Sequence, residues 1–189
     1  MVINVSSPNT PSLRELQAVE QLRPLISGVQ QALARAAAGR TVPLLCKGAP
    51  YGHFADIDAI ADLALELHID GIIATNTTIG RAGLTTPAEE VAALGNGGLS
   101  GAPLRERSLL VLRRLRAKVG DRLLLVAAGG IENADDAWQR ICAGATLVQI
   151  YSALIYDGPS LPGQIARGLA ERVTAAGLSN ISEAIGRDA

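Results

Sequence analysis

The chain opens on a short apolar run that breaks into a burst of uncharged polar residues. Val2-Ile3-Asn4-Val5 is followed by Ser6-Ser7-Pro8-Asn9-Thr10. The β-branched Val2, Ile3 and Val5 predict a short buried strand. Pro8 sets a sharp turn, and no charged residue intervenes before Arg14. A strand that delivers neutral hydrogen-bonding groups to its carboxyl end is how an α/β barrel builds a ligand site. The plainer alternative is a β-turn that caps the next helix. The residue content weighs against it, because the amides of Asn4 and Asn9 can grip a planar ligand with amide, imide or carboxylate edges. Ser7 is a candidate proton acceptor, but a free hydroxyl is a poor base and needs activation.

The same pattern recurs along the chain. Pro43-Leu44-Leu45-Cys46-Lys47 predicts a second buried strand that ends in Lys47-Gly48-Ala49-Pro50. A lysine closing an apolar strand is costly to bury unpaired. It is either a snorkelling or salt-bridged side chain, or a cation facing a ligand. Gly71-Ile72-Ile73-Ala74 predicts a third strand and delivers Thr75-Asn76-Thr77-Thr78. One such burst reads equally well as an Asx- or ST-turn; repetition at successive strand ends favours a shared site. Leu123 to Ala127 and Leu147 to Tyr151 predict the last two strands, ending in Gly129-Gly130 and Tyr151-Ser152. Loops after the last two strands of a (β/α)8 barrel commonly bind phosphate, and glycine-rich backbone amides suit that task. Gly97-Gly98-Leu99-Ser100-Gly101 would likewise let backbone approach a ligand closely.

Helical text separates these strands. Ser12 with Glu15 forms a capping-box pattern ahead of a helix from Leu13 to about Ala38, which Pro24 is expected to break in two. Asp56 to Leu67 is amphipathic, and His53 before it reads as a loop residue. A short helix is expected after Pro87 within an otherwise long loop. Ser108 to Val119 predicts a helix with a solvated basic face of Arg113, Arg114, Arg116 and Lys118. Asn133 caps Ala134 to Ala143, and Pro162 opens a helix to about Ala176. The predicted domain is residues 1–177, with 178–189 a polar tail holding one short helix.

Composition excludes several classes. The 189 residues are 48% hydrophobic and 19% charged, with a formal net charge of −1. This is a globular balance with no electrostatic case for nucleic acid or an anionic membrane. Aromatics are 3%, too few for base-stacking platforms. Cys46 and Cys142 sit in apolar text and predict buried, reduced thiols. No metal-ligand cluster is expected. With no signal peptide or span of about twenty apolar residues, the chain reads as intracellular.

The motifs are also familiar. Asn4-Val5-Ser6-Ser7-Pro8-Asn9-Thr10 with Leu13-Arg14, Ala74-Thr75-Asn76-Thr77-Thr78, Gly97-Gly98-Leu99-Ser100-Gly101, Gly129-Gly130-Ile131 and Tyr151-Ser152 resemble the dihydroorotate dehydrogenases. Within them the resemblance is to the class 2, quinone-linked, membrane-associated branch. It implies oxidation of dihydroorotate to orotate with FMN and a quinone, in de novo pyrimidine biosynthesis. Ser7 matches the base that takes the C5 proton, where class 1 members carry Cys. Asn4, Asn9, Asn76 and Thr77 match substrate-binding positions. Asn4, Lys47, Thr75, Gly101, Gly130, Tyr151 and Ser152 match flavin-binding positions, with Lys47 near N1 and O2 of the flavin ring. Three departures stand out. Ser12 replaces a usual glycine, Pro50 is followed by Tyr51-Gly52-His53 where the family has an acidic residue, and Ser152 replaces Thr while keeping the hydroxyl.

The resemblance covers about Val2 to Glu171. It implies a TIM (β/α)8 barrel of which only about the fourth to eighth strand-helix units are present, whereas a barrel typically needs about 250 residues. The expectation is therefore a fragment, a truncated product or an assembly closed between chains, with open barrel edges prone to self-association. The family is peripheral on the inner membrane; the membrane-contacting segment is not in this sequence, so a cytoplasmic location is the expectation. The competing reading is a catalytically inactive partial barrel that binds FMN or phosphate weakly or not at all. A dihydropyrimidine-type dehydrogenase is disfavoured by Ser7 and by the absence of cysteine clusters for iron–sulfur centres.

Overall fold

The computed structural model describes residues 1–6, 18–48 and 53–189. The expected Ser12 cap, Ser7, Asn9 and the Pro50 turn lie outside the described residues. Five strands, β1 (Val2–Asn4), β2 (Leu45–Gly48), β3 (Gly71–Ala74), β4 (Leu124–Ala128) and β5 (Leu147–Gln149), form one sheet in chain order. Every neighbouring pair is parallel. Parallel neighbours need a crossover, and helices supply it. These are α1 (Val19–Ala36), α2 (Phe54–Glu66), α3 (Ala88–Ala93), α4 (Arg105–Val119), α5 (Ala134–Cys142), α6 (Ser152–Asp157) and α7 (Leu161–Ala175). Sequential parallel order with outer helices is the arrangement of a (β/α)8 barrel, here as a five-stranded part of one.

Strand alternation divides the core. Cys46, Ile72 and Leu125 are in register across β2, β3 and β4. They pack in the main cluster with Ile57 and Ala61 of α2 and Leu112 and Leu115 of α4. Their neighbours Ile73 and Val126 belong to a separate, smaller cluster on the opposite face. Burial on both faces explains why β3 and β4 read as unbroken apolar runs.

One element differs from expectation. Pro24 lies inside α1 without ending it. Leu22 and Ile26, both buried, flank it and anchor the helix to the core, which outweighs one lost backbone bond on an exposed face. The last residues are docked. The 3-10 turn Ile181–Ala184 buries Ala184 completely against Ile141 and Cys142. The N–H groups of Gly186 and Asp188 donate to the carbonyls of Ile141 and Cys142, at 3.0 and 2.9 Å. Those carbonyls end α5 and have no partner within it.

The short helix after Pro87 is present as α3, and Asn133 caps α5 by accepting from the Asp136 N–H at 2.9 Å. The basic face of α4 meets carboxylates: Arg114 pairs with Asp58, Lys118 with Asp62 at 2.9 Å and Arg116 with Asp121 at 2.6 Å. Among the described residues no helix is long and apolar enough to cross a membrane.

Candidate active site

The polar bursts meet at the carboxyl ends of the strands. A cavity of about 520 Å³ opens there. Lys47, Thr75, Asn76 and Thr77 line one side, Gly101 and Gly130 the next, and Tyr151 and Ser152 the last. Asn4 is not in the lining but stands at the same end of the sheet, where its amide meets that of Asn76. The sheet register explains the convergence, because Asn4 pairs with Lys47 and Lys47 with Ile73 across three adjacent strands.

On β1, β3 and their loops the amides are locked in one orientation. The Ser6 N–H donates to Asn4 Oδ1 at 3.3 Å, and the Thr77 N–H donates to Asn76 Oδ1 at 2.8 Å. A backbone N–H can only donate, so each contact identifies the amide oxygen. Ser6 Oγ then donates to Asn4 Oδ1 at 3.0 Å and accepts from Asn76 Nδ2 at 2.9 Å. Asn76 Nδ2 also lies 3.3 Å from Asn4 Oδ1. The Asn4 oxygen is thereby engaged by protein donors, which leaves its NH2 as the end that can donate to an acceptor on a ligand. Ser6 itself is fully buried.

Lys47 is half-buried, and burial pushes its ammonium below the usual lysine range. Thr75 is buried; its N–H donates to the Ala128 carbonyl at 2.8 Å. Its Oγ1 has no hydrogen-bond partner among the described residues. A buried hydroxyl without a partner, on a residue of the cavity lining, is a waiting contact. Ser100 Oγ and Ser152 Oγ are 2.8 Å apart and tie the Gly101 loop to the start of α6. Tyr151 is largely exposed.

The Gly129-Gly130 loop is set by residues that the sequence reading did not single out. Gly130 has φ +68°, and a Cβ there would lie 2.4 Å from Arg105 Cα. Arg105 Nε donates to the Gly130 carbonyl at 3.2 Å, and its NH2 pairs with Glu132 at 2.5 Å. Ser108 Oγ, buried, lies 2.9 Å from the Gly129 carbonyl. Arg140, 1% exposed, donates from its NH2 to the Arg105 carbonyl at 2.6 Å, to Ser108 Oγ at 3.2 Å and to the Gly129 carbonyl at 3.4 Å. Burial pushes its guanidinium down to about 10, while the Asp136 carboxylate acts the other way. The readable signal was a charge on the apolar stripe of α5, between Ala137 and Ile141.

Among the described residues no group of three or more His, Cys, Asp or Glu side chains could hold a metal. Ser7 and Asn9, the expected base and a substrate asparagine, lie outside the described residues.

A parallel α/β sheet whose strand-end loops close on one cavity, with a diglycine turn after β4, defines a barrel-type ligand-binding protein. A sequence model of the family described as dihydroorotate dehydrogenase matches residues 1–173. The dihydroorotate dehydrogenase (quinone) of Thermobifida fusca (strain YX) is 63% identical over 189 residues, which is 100% of this chain and 50% of that protein. The one from Rhodococcus erythropolis (strain PR4 / NBRC 100887) is 57% identical over 188 residues, 100% of this chain and 51% of that protein. A crystal structure of ligand-free type dihydroorotate dehydrogenase from Eimeria tenella superposes with a TM-score of 0.90 at 37% identity, covering 99% of this chain and 55% of that one. The chain belongs to the dihydroorotate dehydrogenase family. It spans about half the length of the curated relatives it matches.

Proposed function

We propose that this chain carries the ligand-facing loops of a quinone-linked dihydroorotate dehydrogenase, which oxidises dihydroorotate to orotate. The observation that carries the reading is the single cavity in which Lys47, Thr75, Asn76, Thr77, Gly101 and Gly130 meet. The residues fit FMN. The unpartnered, buried Thr75 Oγ1 offers a polar contact, and the half-buried Lys47 supplies positive charge. The diglycine turn, which has no room for a Cβ at Gly130, suits a phosphate.

Lys47, Thr75, Gly101, Gly130, Tyr151 and Ser152 would hold the flavin, with Asn4 touching both flavin and substrate. A bound FMN would supply a two-electron acceptor for the hydride lost from C6, with a quinone as the final acceptor. Asn4, Asn9, Asn76 and Thr77 hold dihydroorotate. The Asn4 NH2, whose amide oxygen is already engaged, donates to a substrate carbonyl or carboxylate oxygen. Ser7 removes the C5 proton, so that loss of one proton and one hydride leaves the C5–C6 double bond of orotate. Lys47, which lines the cavity, would offset negative charge on a ring system bound there.

The test is the visible spectrum of the purified protein. Bands near about 370 and 450 nm, the general flavin signature, that bleach on adding dihydroorotate are the expected result. A colourless protein that stays colourless with added FMN would overturn the reading and leave a non-catalytic partial barrel. Replacing Ser7 by Ala in flavin-loaded protein should abolish bleaching by dihydroorotate; unchanged turnover would remove Ser7 from the mechanism.

A further inference from the structure

We infer that Arg140 is a positioning residue for the flavin phosphate, acting from behind the Gly129-Gly130 turn; this rests on the flavin reading above. Arg140 stands on α5 and is absent from the cavity lining; it donates to the Gly129 carbonyl of the turn and to the Arg105 carbonyl and Ser108 Oγ of α4 beside it. A trans peptide is planar, with its carbonyl and the next N–H pointing opposite ways. Drawing the Gly129 carbonyl toward Arg140 and Ser108 turns the Gly130 N–H toward the cavity. Arg105 Nε holds the Gly130 carbonyl at 3.2 Å and turns the Ile131 N–H in the same way. Two consecutive N–H groups on one side of a turn make an anion cradle. The guanidinium behind it adds positive potential to the same spot.

Stability alone does not account for this side chain. Its Nε and NH1 have no acceptor among the described residues. The nearby Asp136 carboxylate is taken by Arg105 Nε at 3.2 Å and by the Glu132 N–H at 3.0 Å. A buried cation in such surroundings is commonly no more stabilising than an apolar side chain of similar volume. Methionine at this position would keep the packing and remove the hold on the turn.

The experiment compares FMN with riboflavin, which lacks the phosphate, by fluorescence titration of flavin-stripped wild type, Arg140→Met and Arg140→Lys. Urea unfolding of each protein is measured alongside. Wild type is expected to prefer FMN. Arg140→Met should lose about tenfold or more in FMN affinity while its riboflavin affinity and unfolding midpoint hold. Arg140→Lys, with a shorter reach but the same charge, should fall between. Equal losses for the two flavins, tracking a lowered unfolding midpoint, would make Arg140 a purely structural cation and overturn the inference. So would an FMN preference unchanged in both variants. If Arg140→Met does not fold, the lysine variant decides by the same ratio. Wild type that binds neither flavin would instead overturn the proposed function, and this inference with it.

Discussion

Gly130 packs directly against the Arg105 backbone, which lies outside the cavity lining: a Cβ on Gly130 would meet Arg105 Cα at 2.4 Å and Arg105 N at 2.6 Å. Backbone cannot move aside as a flexible side chain can, and Gly130 has φ +68°, where side-chain-bearing residues are strained. Gly130→Ala should therefore lower unfolding stability by about 2–4 kcal/mol. It should also abolish FMN binding in titrations that wild type passes. Full FMN affinity in this variant would show that the diglycine turn is not the phosphate cradle.

Lys47→Met should trade function for stability. Burial lowers the Lys47 ammonium, so the folded protein disfavours the charged form relative to the unfolded chain. The cost is present in full below the lowered folded value. It fades as pH rises through the lowered folded value toward the unfolded one. The methionine variant should unfold at higher urea than wild type at neutral pH, with the gap closing in the alkaline range. Flavin affinity should fall in the same variant.

Ser6→Ala should damage substrate binding more than flavin binding. Ser6 Oγ both donates to Asn4 and accepts from Asn76. Asn4 is exposed and Asn76 half-buried, so loss of the Ser6 hydroxyl removes two ordinary hydrogen bonds that orient these amides, at about 0.5–1.5 kcal/mol each. In flavin-loaded protein the KM for dihydroorotate should rise, with FMN affinity near wild type. A variant that loses FMN and substrate together would mean that Ser6 supports the whole loop.

The two thiols should be distinguishable by a thiol-reactive dye. Both cysteines are buried and free, and burial pushes the Cys46 thiol up to about 11. Cys142 is also raised, first by burial and then by Asp188 in the docked C-terminal segment. The native protein should be inert at mildly alkaline pH, because little thiolate forms. Ala184→Glu places a carboxylate where no solvent reaches and should undock the segment. Cys142 should then react while Cys46 stays inert.

Much of the fold was legible because its signals are local. Apolar runs such as Gly71 to Ala74, turn residues such as Gly129-Gly130 and the Asn133 cap each lie within a few residues, and the structure has an element at each. Alternation of these elements was enough to predict a parallel sheet with helical crossovers. It was also enough to expect that the polar bursts face one end. The resemblance in the motifs added the family, which the match over residues 1–173 bears out.

Other features depend on contacts that no short window contains. Asn4 and Asn76 are 72 residues apart in the chain, and their amides meet only because β1, β2 and β3 align in register. Pro24 reads as a helix break, yet burial of Leu22 and Ile26 keeps α1 whole. The polar C-terminal segment reads as a tail, yet it caps the carbonyls that end α5. The sequence by itself determined the strand–helix alternation and the chemistry carried at each strand end, since periodicity and turn geometry are local. Only the tertiary structure decided that Arg140 and Ser108 stand behind the diglycine turn. A buried charge is tolerable only where distant backbone carbonyls are brought within reach of it.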